Sequence, residues 1–87
     1  MPRTIKTAAL QMDARLAPAP ARLRRAESLI EAAAQAGAQL VALPELFNSG
    51  YAYSDENYAR AEPLDGPTVA WMKETAADYE IHLAGSL

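Results

Sequence analysis

The run Leu40-Val41-Ala42-Leu43 stops at Pro44 and hands the chain to Glu45, so a strand-like apolar segment ends with a carboxylate at its tip. Proline cannot donate to a sheet ladder and closes a central strand. The nearly continuous apolar character of residues 39–43 suits a parallel strand covered on both faces, and in such sheets ligands gather beyond the carboxyl ends of the strands. Glu45 is therefore the first candidate for chemistry. Its side chain is expected to point into a cleft at the end of a central strand.

The rest of the chain supplies what such a strand needs. Residues 5–12 read as a first strand, ending where Asp13 and the run Ala17-Pro18-Ala19-Pro20 begin a loop. Pro20 fits the first turn of a helix. Leu23, Ala26, Ile30, Ala33 and Gly37 then recur at helical spacing, with Arg24, Ser28, Glu31 and Gln35 opposite, and Gly37 closes the helix. Residues 46–64 form a long excursion with a short helical turn expected at 54–61, and loops of this length in compact domains tend to carry function. Asp65-Gly66-Pro67 starts a second helix in which Val69, Met72, Ala76 and Tyr79 repeat, and residues 81–87 return to strand character. The order β-α-β-α-β predicts parallel strands joined by right-handed crossovers. Two such crossovers between neighbouring strands place both helices on one face. The other face is expected to be a large wet apolar patch unless a second surface packs on it, from the remainder of a longer polypeptide or from another copy in a homo-oligomer.

A length of 87 residues leaves room for one domain at most, and 51% hydrophobic with 22% charged side chains is an ordinary globular balance. The net charge of −3 is spread over both signs, which argues against a nucleic-acid surface. Arg22, Arg24 and Arg25 form the one basic cluster and read as a solvated helix face. There is no cysteine, hence no disulfide framework and no thiolate metal site in this chain. No stretch approaches the roughly 20 apolar residues of a membrane span. The start Met1-Pro2-Arg3-Thr4 lacks the apolar core of a secretion signal, so a cytoplasmic location is the expectation.

Four segments carry a resemblance. Ala8-Ala9-Leu10-Gln11-Met12, then Ala36-Gly37-Ala38-Gln39-Leu40-Val41 leading into Leu43-Pro44-Glu45-Leu46-Phe47-Asn48-Ser49-Gly50-Tyr51, then Gly66-Pro67-Thr68, then Ala84-Gly85-Ser86 resemble the amino-terminal part of the nitrilase superfamily of carbon-nitrogen hydrolases. The resemblance covers residues 1–87 and makes them the leading, incomplete part of one such domain. It implies a four-layer α-β-β-α sandwich, whose second sheet would cover the open face. It also implies hydrolysis of a small amide, carbamoyl compound or nitrile, without a cofactor or metal, by a cysteine nucleophile, a glutamate base and a lysine. By motif match the base falls on Glu45. Neither Lys6, which precedes the motif, nor Lys73, on the second helix, takes the family lysine's place, and the cysteine must lie beyond this chain. Alone, the chain is expected to be inactive.

Phe47, Asn48 and Tyr51 follow Glu45 on one loop and are the candidate substrate contacts, with structural anchoring as the plainer role for aromatic loop residues. Tyr53 and Tyr58 are weaker candidates. Two other functions fit parts of the pattern. A non-catalytic module could pair with another chain through the open sheet. A magnesium-binding, receiver-like domain could use Asp13 and Glu45 at neighbouring strand tips, although no third oxygen ligand or phosphate loop accompanies them. His82 reads as a packed or edge residue, and Trp71 and Met72 as core filling.

Overall fold

The computed structural model describes residues 3–51 and 55–87. Along the chain run β1 (Thr7–Ala9), α1 (Ala19–Gln35), β2 (Leu40–Glu45), α2 (Glu56–Arg60), α3 (Pro67–Tyr79) and β3 (His82–Ser86). The strands form one parallel sheet in the order β1-β2-β3, which puts β2 and its terminal Glu45 in the middle. The helical turn expected at 54–61 is α2; Ser54 and Tyr53 lie outside the described residues.

Local sequence chemistry sets the helix ends. Pro20 sits in the first turn of α1, where a missing N–H costs nothing. At the other end Gly37 adopts a φ of +94°, while Ala38 N donates to Ala33 O and Gly37 N to Ala34 O, both at 3.0 Å. That pair of bonds satisfies the last carbonyls of α1 and turns the chain directly into β2.

Helices α1 and α3 pack on each other and on the same side of the sheet. Between them and the strands lie Ala26, Ile30, Val41, Leu43, Phe47 and Ile81, all buried, with Ala8, Leu10, Met12, Trp71 and Leu83 around them. Burial alternates along the strands: Val41 and Leu43 are buried while Ala42 is exposed, and Leu83 is half-buried while His82 and Ala84 are exposed. The face away from the helices is thus open among the described residues. It differs from the large apolar patch expected. Thr7, Ala9, Ala42, His82, Ala84 and Ser86 are small or polar, Leu40 between Thr7 and His82 is half-buried, and Ile5 is the one large exposed hydrophobic on β1 or its flanks. Small side chains leave little apolar area in water while letting another layer approach closely. Among the described residues no helix is long and apolar enough to cross a membrane.

Candidate active site

Glu45 is the last residue of the central strand, which runs through Pro44 rather than stopping at Leu43 as expected. Its direction is set by an irregularity. Ala42 pairs with Ala84 and Glu45 with Ser86, so three steps along β2 match two along β3. Strict alternation would put Glu45 on the side of Val41 and Leu43, inside the helix layer. The extra residue places it instead beside Ser86, on the open face with Ala84 and His82, and Glu45 is exposed there. Bulges of this kind re-aim single side chains next to active sites. Glu45 is exposed rather than enclosed as expected, because the face it shares carries no covering layer among the described residues.

The next residue is strained. Leu46 has a φ of 51°, a left-handed conformation that costs a non-glycine residue about 1–2 kcal/mol and survives only where surrounding contacts over-determine it. Residues 46–50 form a tight turn in which Ser49 N and Gly50 N both donate to Leu46 O, at 3.2 and 2.9 Å. Gly50 is buried with a φ of +95°, and a β-carbon there would collide with the Arg15 carbonyl. Only glycine meets both conditions. Tyr51 N then donates to Ala14 O at 2.9 Å, tying the turn to the loop after β1.

The guanidinium of Arg22 holds the same two loops together. Its Nε donates to Phe47 O at 2.7 Å, Nη1 to Arg15 O at 3.0 Å and Nη2 to Asp13 O at 3.0 Å. Arg24 and Arg25 lie on a solvated face as expected, but Arg22 is buried, a correction to the reading of all three as one surface cluster. The signal was present: Arg22 precedes Ala26 by one helical repeat and Ile30 by two, so it shares their core-facing stripe.

Phe47 is fully buried, its ring 6.0 Å from that of Trp71, centroid to centroid, and belongs to the core. Gly85 makes the room, since a β-carbon there would stand 2.8 Å from Phe47 Cε1. Asn48 is also buried. Its amide donates to Glu62 Oε2 at 3.2 Å and to Thr68 Oγ1 at 3.4 Å. Tyr51 is 49% exposed and Tyr58 86%, so of Phe47, Asn48 and Tyr51 only Tyr51 lies at the surface. Asp13 Oδ1 accepts Arg15 N at 3.1 Å and lies 3.5 Å from Arg22 Nη1, which commits it to the loop. Among the described residues no group of three or more His, Cys, Asp or Glu could hold a metal ion.

Sequence reasoning did not single out Glu62 or Thr68. Glu62 accepts Thr68 N at 2.7 Å and Thr68 Oγ1 at 2.6 Å, so its carboxylate serves as the missing cap of α3 and complements the positive end of that helix. Burial pushes its carboxyl upward, but the bonds accepted from the Thr68 hydroxyl, the Thr68 amide and Asn48 outweigh this and hold it below the usual carboxylate value. A lowered folded value means that stability is gained above the ordinary carboxylate range and lost as pH falls through the folded value. The urea midpoint of the wild-type chain is therefore expected to fall more steeply than that of Glu62→Gln between pH 5 and pH 3; equal slopes would show that this carboxylate is not linked to folding. Beside this network lies a cavity of about 220 Å³, lined by Leu46, Asn48, Ser49, Arg60 and Glu62 among others.

Known proteins share this arrangement of segments. A family model described as carbon-nitrogen hydrolase matches residues 6–87. The chain is 33% identical over 82 residues to a nitrilase of Pyrococcus abyssi, covering 91% of this chain and 31% of that protein. It is 45% identical over 65 residues to an omega-amidase of Xenopus laevis, covering 72% of this chain and 22% of that protein. A nitrilase homolog of Dictyostelium discoideum is 46% identical over 57 residues, or 64% of this chain and 17% of that protein. The chain thus spans about a third or less of the length of these relatives.

Proposed function

The chain belongs to the carbon-nitrogen hydrolase family, and from that premise we propose that it is the leading part of an enzyme hydrolysing a small amide, carbamoyl compound or nitrile, with Glu45 as general base. One observation carries the assignment of Glu45. A carboxylate stands at the tip of the central strand, turned onto the open face by an extra residue in β2 and followed by a strained turn. In the complete protein a second sheet packs on that face, completing an α-β-β-α sandwich and enclosing Glu45 in a site that includes a cysteine and a lysine from later segments.

For an amide, Glu45 takes the thiol proton as sulfur attacks the carbonyl carbon. The tetrahedral adduct collapses to a thioester as the C–N bond breaks, and the nitrogen leaves as ammonia with the proton returned by Glu45. Water, deprotonated by Glu45, then cleaves the thioester to acid and free thiol. Of Phe47, Asn48 and Tyr51, Tyr51 is the one at the surface and is the candidate contact with the substrate.

Ammonia release tests this reading. A full-length protein carrying this segment is expected to release ammonia from at least one member of a panel of small amides, carbamoyl compounds and nitriles. The chain of residues 1–87, which has no thiol, is expected to give background only. Turnover by the short chain that disappears on Glu45→Gln would refute the division of the site between this segment and later ones. A full-length protein inert on the whole panel would refute the proposed activity.

A further inference from the structure

Asn48 is three positions beyond Glu45 in the strained turn, and its buried side chain is held from outside the motif. Thr68, fully buried in the first turn of α3, donates both its amide and its hydroxyl to Glu62, and Glu62 Oε2 receives Asn48 as well. The carboxylate therefore joins the first turn of α3 to the turn that follows Glu45. Arg22 holds the other side of that turn through the Phe47 carbonyl.

We propose that Glu62 is a positioning residue for Glu45, its carboxylate fixing the turn of residues 46–50 against α3 through Asn48. The inference rests on the reading of Glu45 as general base. Polarity makes it specific. The hydroxyl of Thr68 and the amide of Asn48 both point protons at Glu62 Oε2, while Oε1 takes the Thr68 amide. Glu62→Ala removes both acceptor oxygens, so the Asn48 amide, the Thr68 hydroxyl and the Thr68 amide lose this shared partner, whereas Asn48→Asp sets one carboxylate against another, and in either case the turn loses its anchor. A displacement of about 1 Å in a reacting group can cost on the order of 10²-fold in rate.

The test uses the full-length protein and four forms: wild type, Glu62→Ala, Asn48→Asp, and the double variant Asn48→Asp with Glu62→Gln. Each single change is expected to lower kcat by about 10- to 100-fold with KM shifted by less than about threefold. Circular dichroism at the assay temperature should show folded protein. The double variant reverses the polarity, so that the glutamine amide donates to the new aspartate and to the Thr68 hydroxyl, which donates onward to the aspartate. It is expected to regain kcat to within about threefold of wild type. Single variants with wild-type kcat, losses that follow only the unfolded fraction, or a double variant no better than the singles would each overturn the role of Glu62. An inactive wild type would instead refute the function on which the inference stands.

Discussion

Replacing Arg22 by methionine is expected to lower stability by about 2–4 kcal/mol, although methionine keeps most of the apolar stem. The ion pair with Asp13 contributes little, because Asp13 is 67% exposed and the separation is 3.5 Å. The loss comes from the carbonyls that the guanidinium satisfies. Phe47 O matters most, since Phe47 is wholly buried and a desolvated acceptor without a partner costs about 1–3 kcal/mol. The carbonyls of Arg15 and Asp13 belong to exposed residues, so water recovers part of their loss. Arg22→Lys should fall between, because an ammonium cannot present the guanidinium fork to three carbonyls at once. Urea unfolding followed by circular dichroism measures both. A change below about 0.5 kcal/mol for Arg22→Met would show that the loops after β1 and after β2 hold each other without the guanidinium.

Much of this architecture was legible in the residues. The central strand and the carboxylate at its tip follow from local chemistry alone, as do both long helices, whose apolar positions repeat every three or four residues. The first strand was harder. Residues 5–12 read as one strand, but only Thr7–Ala9 form the ladder, because the chain leaves β2 once Asp13 and Arg15 turn toward Arg22. The apolar content of the open face was overestimated for a different reason: alternation says which residues share a face, and the sizes of Ala9, Ala42 and Ala84 decide how much of it is wet.

Within the site, Glu45 was legible and its setting was not. The extra residue that turns Glu45 onto the open face depends on which residues of β3 it meets, which no local pattern states. Likewise Asn48, Glu62 and Thr68 are separated along the chain and meet only because α3 packs behind the turn. Phe47 shows the limit of reading a loop by residue type. An aromatic side chain next to a candidate base suited a pocket wall and a structural anchor alike, and it fills the core beneath the sheet, where Gly85 leaves space for it.

The central claim is that Glu45 performs proton transfer. Within residues 1–87 the side chain is an exposed strand-end carboxylate, and changing it to the amide should alter the stability of this segment by no more than about 0.5 kcal/mol. Losing a general base, by contrast, lowers the rate by about 10² to 10⁴, equivalent to about 3–5.5 kcal/mol in activation free energy. The decisive measurement is therefore kcat for ammonia release by the full-length protein with and without Glu45→Gln, with circular dichroism showing that both forms are folded. The account predicts a fall of about 10² to 10⁴ in kcat with the variant folded. A Glu45→Gln protein that turns over within about threefold of wild type would contradict it.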